Sequence, residues 1–117
     1  LNNNIDDKYL LNNKGIVNLG LVKKLENFYK KIDIIIFPSY LNALGRQVFE
    51  AGFYKIPSVV CLNTNNTDCF QNNKTGLAYR NNEDNIKKLE DCIIFFYKNK
   101  RKITEMGLRA HKLVKKN

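Results

Sequence analysis

The feature that most constrains this chain is a pair of short, nearly unbroken apolar runs, Ile32-Asp33-Ile34-Ile35-Ile36-Phe37 and Ser58-Val59-Val60-Cys61-Leu62. Runs this short, rich in β-branched residues and without polar alternation, are the pattern of strands covered on both faces. Pro38 and Ser39 stop the first run, and Pro57 opens the second. Between them a turn over residues 40–45, ending in Gly45, feeds an amphipathic stretch over residues 46–54 that carries Val48, Phe49 and Ala51. Buried strand, amphipathic helix, buried strand implies a crossover between parallel neighbours.

The rest of the chain repeats the alternation. Residues 16–19 read as a brief strand ended by Gly20, followed by an amphipathic helix over residues 21–31 on Leu21, Val22, Leu25, Phe28 and Tyr29. Residues 63–73 form a polar connection longer than most in compact domains, and such loops are often functional. A short strand follows over residues 75–79. A helix capped by Asn82 or Asp84 then runs to Lys98, and a last helix spans residues 100–114. The expected fold is therefore α/β, a Rossmann-like parallel sheet of about four strands with helices on both faces. With 117 residues the chain is one compact domain or part of a larger one. No apolar run is long enough to span a bilayer.

The formal net charge of +9 attracts phosphate-bearing partners. Its basic pairs are scattered, from Lys23 and Lys24 to Lys115 and Lys116, and at helical spacing most form solvated faces. No aromatic β platform or recognition helix accompanies them, so nucleic acid is not the expected partner. An anionic membrane surface is compatible with them. Cys61, Cys69, Cys92 and the single His111 fall in no metal-ligand spacing, so no metal is expected. The odd cysteine count and the lack of a visible signal peptide fit a reducing, cytoplasmic setting. The first residue is Leu1, which reads as a truncated or processed start.

In an open parallel sheet, ligands sit outside the carboxyl ends of the strands, beside helix N-termini. That rule selects residues 20–22, 39–46 and 62–70. In the middle loop the free N–H groups of Leu44, Gly45 and Arg46, with the helix dipole behind them, form an anion site suited to a diphosphate. Gly45 lets the backbone approach without a Cβ in the way. Glu50 lies one turn inside that helix, near Phe49, Phe53 and Val60. Its carboxylate is placed to accept hydrogen bonds from the vicinal hydroxyls of a ribose, or else it pairs with a surface lysine. The residues alone leave both readings open.

The stretch from Phe37-Pro38-Ser39 through Gly45, Glu50-Ala51 and Ile56-Pro57-Ser58-Val59-Val60 resembles the signature of the group 1 glycosyltransferases, grouped as family 4. Further pieces match in order: Val17-Asn18-Leu19-Gly20, then Phe28-Tyr29 with Asp33, Asp68 with Asn73 and Thr75-Gly76-Leu77, and Met106-Gly107 with Ala110. The resemblance covers nearly the whole chain from about residue 14. It implies a retaining, metal-independent enzyme of GT-B architecture, of which residues 1–117 are part of the C-terminal, donor-binding domain. The N-terminal acceptor domain and the first strands of the donor domain would lie outside the chain, leaving a strand edge for the absent part to cover.

By the resemblance, Glu50 matches the second Glu of a paired motif and holds the donor's ribose. The first Glu, directed at the donor sugar, falls on Asn42, which can hydrogen-bond but carries no charge. Leu44, Gly45 and Arg46 match the turn that meets the diphosphate, and Gly20, Leu21 and Val22 lie near the nucleobase. The implied reaction transfers a sugar from a nucleotide-diphosphate donor, with no further cofactor, to a glycan or lipid-linked acceptor in polysaccharide biosynthesis at the inner face of the cell membrane. The isolated chain is expected to be inactive. The alternative is a non-catalytic nucleotide- or sugar-binding module, which the Asn42 departure favours. A flavodoxin-like regulatory domain ranks lower, because no acidic cluster follows the first strand.

Overall fold

The computed structural model describes residues 15–17, 19–38, 46–62 and 66–116. Nine elements follow in order: α1 (Leu25–Tyr29), β1 (Ile35–Phe37), α2 (Arg46–Phe53), β2 (Ser58–Cys61), β3 (Asn66–Thr67), β4 (Phe70–Gln71), β5 (Gly76–Tyr79), α3 (Asn85–Lys98) and α4 (Lys100–Lys115). The two apolar runs form β1 and β2, which pair in parallel with Ile35 opposite Ser58 and Phe37 opposite Val60. β2 then pairs in parallel with β5, Ser58 opposite Gly76 and Cys61 opposite Tyr79. The parallel sheet thus has three strands in the order β1-β2-β5, and β2, fully buried along its length, is the central one.

Alternation along the strands sends side chains to two covered faces. Val60 and Leu62 pack with Val48 of α2 and with Phe70, while Tyr29, Ala51 and Ile56 continue that layer beneath Ile35. On the opposite face Val59, Cys61 and Tyr79 pack against Phe96 of α3 and Met106 of α4. Helix α4 does not stay on one face. Its first half lies with α3, and then Gly107 passes so close to the chain before β2 that an added Cβ would meet the Lys55 carbonyl oxygen. Its second half lies on α2, where Ala110 and Val114 close on Gly52. Helices on both faces of a parallel sheet make this a Rossmann-like α/β fold.

Several expectations are corrected. Of the about four strands expected, three form the parallel sheet among the described residues: residues 16, 17 and 19 form no strand, and Val17 and Leu19 are 77% and 61% exposed. A parallel strand is stable only when neighbours satisfy its backbone and cover its faces, and no described residue does so there. The helix expected over residues 21–31 shrinks to the five residues of α1, with Leu21 89% and Leu25 41% exposed. Short helices without a packed face are marginal. The polar connection over residues 63–73 contains the antiparallel pair β3–β4, anchored by the completely buried Phe70. Two-residue strands carry no periodicity that a sequence reading can detect. At α3, Asp84 is the N-cap residue but its side chain makes no cap bond; the Asn82 carboxamide oxygen accepts the Asp84 N–H instead, at 3.1 Å.

The two sheet edges differ. Along β5, the Asn72 side-chain oxygen accepts the Ala78 N–H at 2.9 Å and the Asn73 N–H reaches the Gly76 carbonyl at 2.9 Å. Along β1 the outer edge has no ladder partner among the described residues, and Ile36 is exposed.

Candidate functional site

Helix α2 leaves the carboxyl side of the sheet and runs back to the amino end of β2, so Arg46 stands at the mouth and Glu50 about 6 Å further along the axis. Asn42, Leu44 and Gly45 lie outside the described residues. Arg46 is exposed at the first position of the helix. It shares a face with Glu50 at i, i+4, yet no ion pair joins them.

Glu50 is half-buried. Among the described residues its carboxylate has neither an ion-pair nor a hydrogen-bond partner. Its surroundings differ from those expected. Phe49 and Phe53 open to solvent, and Val60 lies under Val48. The neighbour that registers the carboxylate is Tyr29. Burial first, then the negative charge of Glu50 and the nearby Tyr54, hold the Tyr29 phenol above its ordinary range.

Tyr29 and Tyr54 are the residues that sequence reasoning missed. Their rings stack at 5.0 Å with an interplanar angle of 12°. Tyr54 follows Glu50 by four residues, so helical spacing alone puts it on the same face. Tyr29 comes from α1 and is 3% exposed. Its amphipathic position was legible as core, but its partner was not, because the two lie on separate elements.

The Gly20, Leu21 and Val22 segment lies before α1. Gly20 adopts a left-handed backbone with φ +65°, and Leu21 is 89% exposed. Val22 lines a cleft of about 640 Å³ with Val17, Leu19 and Phe28, rimmed by Lys23, Lys24 and Lys31. Phe28 in turn meets the edge of Tyr29 at 5.1 Å. The cleft therefore adjoins the aromatic pair beside Glu50. An apolar slot of this kind suits a planar base.

The other reactive side chains lie elsewhere. Burial raises the Cys61 thiol, a hydrogen bond with Tyr79 opposing it, and burial with the Asp91 charge raises Cys92. Thiols held protonated are poor nucleophiles. Cys69 is half-buried in the β3–β4 turn, where its N–H donates to the Thr67 hydroxyl at 3.3 Å. His111 joins α4 to the end of α2, its Nδ1 2.9 Å from the Phe53 carbonyl oxygen, which accepts. No three His, Cys, Asp or Glu residues among those described could hold a metal ion. No helix among them is long and apolar enough to cross a membrane.

The family model for glycosyl transferases group 1 matches residues 3–113. Neither the curated proteins nor the solved structures yield a match. The family match spans almost the whole chain, and the parallel sheet with helices on both faces agrees with it. The chain belongs to the group 1 glycosyltransferases.

Proposed function

We propose that this chain is the donor-binding part of a retaining, metal-independent glycosyltransferase of family 4 and GT-B architecture. In this reading residues 1–117 bind a nucleotide-diphosphate sugar, and the sugar passes to a glycan or lipid-linked acceptor in polysaccharide assembly at the cytoplasmic face of a membrane. The observation that carries the reading is Glu50: an acid one turn into the helix at the mouth of a parallel sheet, half-buried and without a partner among the described residues. No buried oxygen of it is left unpartnered, so water reaches the carboxylate and an arriving ligand can replace that water with its own donors. Vicinal ribose hydroxyls supply two.

The remaining roles follow from position. Leu44, Gly45 and Arg46 would receive the diphosphate on backbone N–H groups and a guanidinium. Gly20, Leu21 and Val22 would border the base, and Asn42 would hydrogen-bond the donor sugar. Catalysis would then consist of positioning and of neutralising the departing diphosphate. The second reading is a nucleotide- or sugar-binding module without turnover. The observation favouring it is the neutral Asn42, where the resemblance leads one to expect a carboxylate.

Titration calorimetry with UDP, GDP and ADP tests the ribose contact. Glu50→Gln should weaken the nucleotide that binds by about tenfold, the worth of one or two charge-assisted hydrogen bonds. The corresponding 2′,3′-dideoxy nucleotide should lose as much on the wild type and nothing more on the variant. Equal affinity of wild type and variant for the ribonucleotide would refute the assignment.

A further inference from the structure

A second basic site lies away from the mouth of the sheet. Arg109, Lys112 and Lys116 recur at i, i+3 and i+7 on one face of α4, and Lys74 approaches them from the turn between β4 and β5. Together with Gln71 and Leu113 they enclose a cleft of about 180 Å³. The turn precedes β5, so the cleft opens at the amino ends of the strands, opposite the start of α2.

The turn that carries Lys74 is well held. The Thr75 hydroxyl accepts the Gln71 N–H at 2.9 Å, and the Lys74 and Thr75 N–H groups both reach the Gln71 carbonyl, at 3.1 and 2.9 Å. Asn73 beside it takes a left-handed backbone, φ 68°. Lys74 is therefore presented by a fixed backbone. None of the four cations has a carboxylate within ion-pair distance among the described residues, whereas Lys30, Lys87 and Lys102 all do.

Cations in the last turn of a helix complement its dipole, and that accounts for Lys112 and Lys115, with Lys116 at the C-cap. It does not account for Arg109, nearly two turns earlier, or for Lys74 on another element. Four like charges around one small cleft repel one another until an anion enters. We propose that this cleft binds a phosphate group carrying two or more negative charges, with Arg109 gripping two oxygens and the three lysines balancing the charge. Such a group reaches the protein either as a free polyphosphate or as the headgroup of an anionic lipid.

Two arms separate these sources. Titration calorimetry with inorganic pyrophosphate reports the free anion. Co-sedimentation with phosphatidylcholine vesicles, with and without phosphatidic acid, whose phosphomonoester can carry two negative charges, reports the headgroup. The variant Lys74→Ala/Arg109→Ala/Lys112→Ala should weaken one or both by at least tenfold, and the arm that changes names the source. The charge-preserving variant Lys74→Arg/Lys112→Arg should bind as the wild type does, and an unchanged circular dichroism melt should show that the alanine variant is folded. Removing an equal charge elsewhere, by Lys88→Ala/Lys98→Ala/Arg101→Ala at exposed positions of α3 and the start of α4, should leave the affected arm within about twofold. The proposal is overturned if the wild type binds neither probe, if the alanine variant binds both as the wild type does, or if the remote variant loses as much.

Discussion

Gly107→Ala sets two effects of opposite sign against each other. In the interior of a helix alanine is favoured over glycine by about 1 kcal/mol, so an isolated α4 would gain from the change. In the folded chain the new Cβ would stand 2.1 Å from the Lys55 carbonyl oxygen and 2.8 Å from its carbon. An ordinary contact needs more than an ångström of further separation. Both atoms are backbone, two residues before Pro57, so no rotamer change relieves the overlap and α4 must lift as a body. Lifting it loosens the buried Met106, Ala110 and Val114, and opens the contact where Gly52 meets the Ala110 carbonyl. Overpacking of this kind costs roughly 1–3 kcal/mol, and about 2–3 where, as here, backbone must move. Subtracting the helical gain leaves a net loss of about 1–2 kcal/mol. For a chain of this length that lowers the melting midpoint by roughly 4–8 °C. The assay is thermal and urea unfolding followed by circular dichroism, with the exposed Thr104→Ala as a control that should gain a few tenths of a kcal/mol. A Gly107→Ala midpoint equal to or above that of the wild type would show that α4 does not cross the chain at this separation.

Lys55 offers the converse test. It occupies the left-handed position after α2 with φ 65°, and the Ile56 N–H bonds the Ala51 carbonyl at 2.8 Å while the Lys55 N–H bonds that of Gly52 at 2.9 Å. This is the Schellman arrangement, in which glycine is the favoured residue. Lys55→Gly should raise stability by about 0.5–1 kcal/mol, the left-handed strain outweighing glycine's entropic cost, and urea titration should show a higher midpoint. Alkaline pH should act in the opposite direction. Tyr29, Tyr79, Cys61 and Cys92 are all raised, with burial the largest cause. Their folded forms hold protons that the unfolded chain releases, so stability is intact below about pH 8 and falls as pH climbs through 9 to 11. Urea midpoints that stay constant across that window would contradict the burial of these groups.

Much of this molecule was legible in its residues. The apolar runs at β1 and β2, the Gly-containing entry to α2 and the stripes of α3 and α4 are local patterns, because burial on both faces of a strand or one face of a helix dictates composition at fixed spacing. Helical spacing also sufficed to place Glu50 one turn inside α2, and the order of the motifs sufficed for the family. Tertiary packing decided what local pattern cannot encode. Residues 16–19 have strand-like composition, but residues 16, 17 and 19 form no strand. Phe70 is buried although its neighbours are polar, since β2 and α2 leave a hole that one ring fills. Tyr29 comes within reach of the Glu50 charge, and Lys74 lines one cleft with Arg109, across elements whose separation in sequence sets no distance in space. Contacts between elements depend on where the sheet puts each helix, and that is a property of the assembled layers rather than of any one segment.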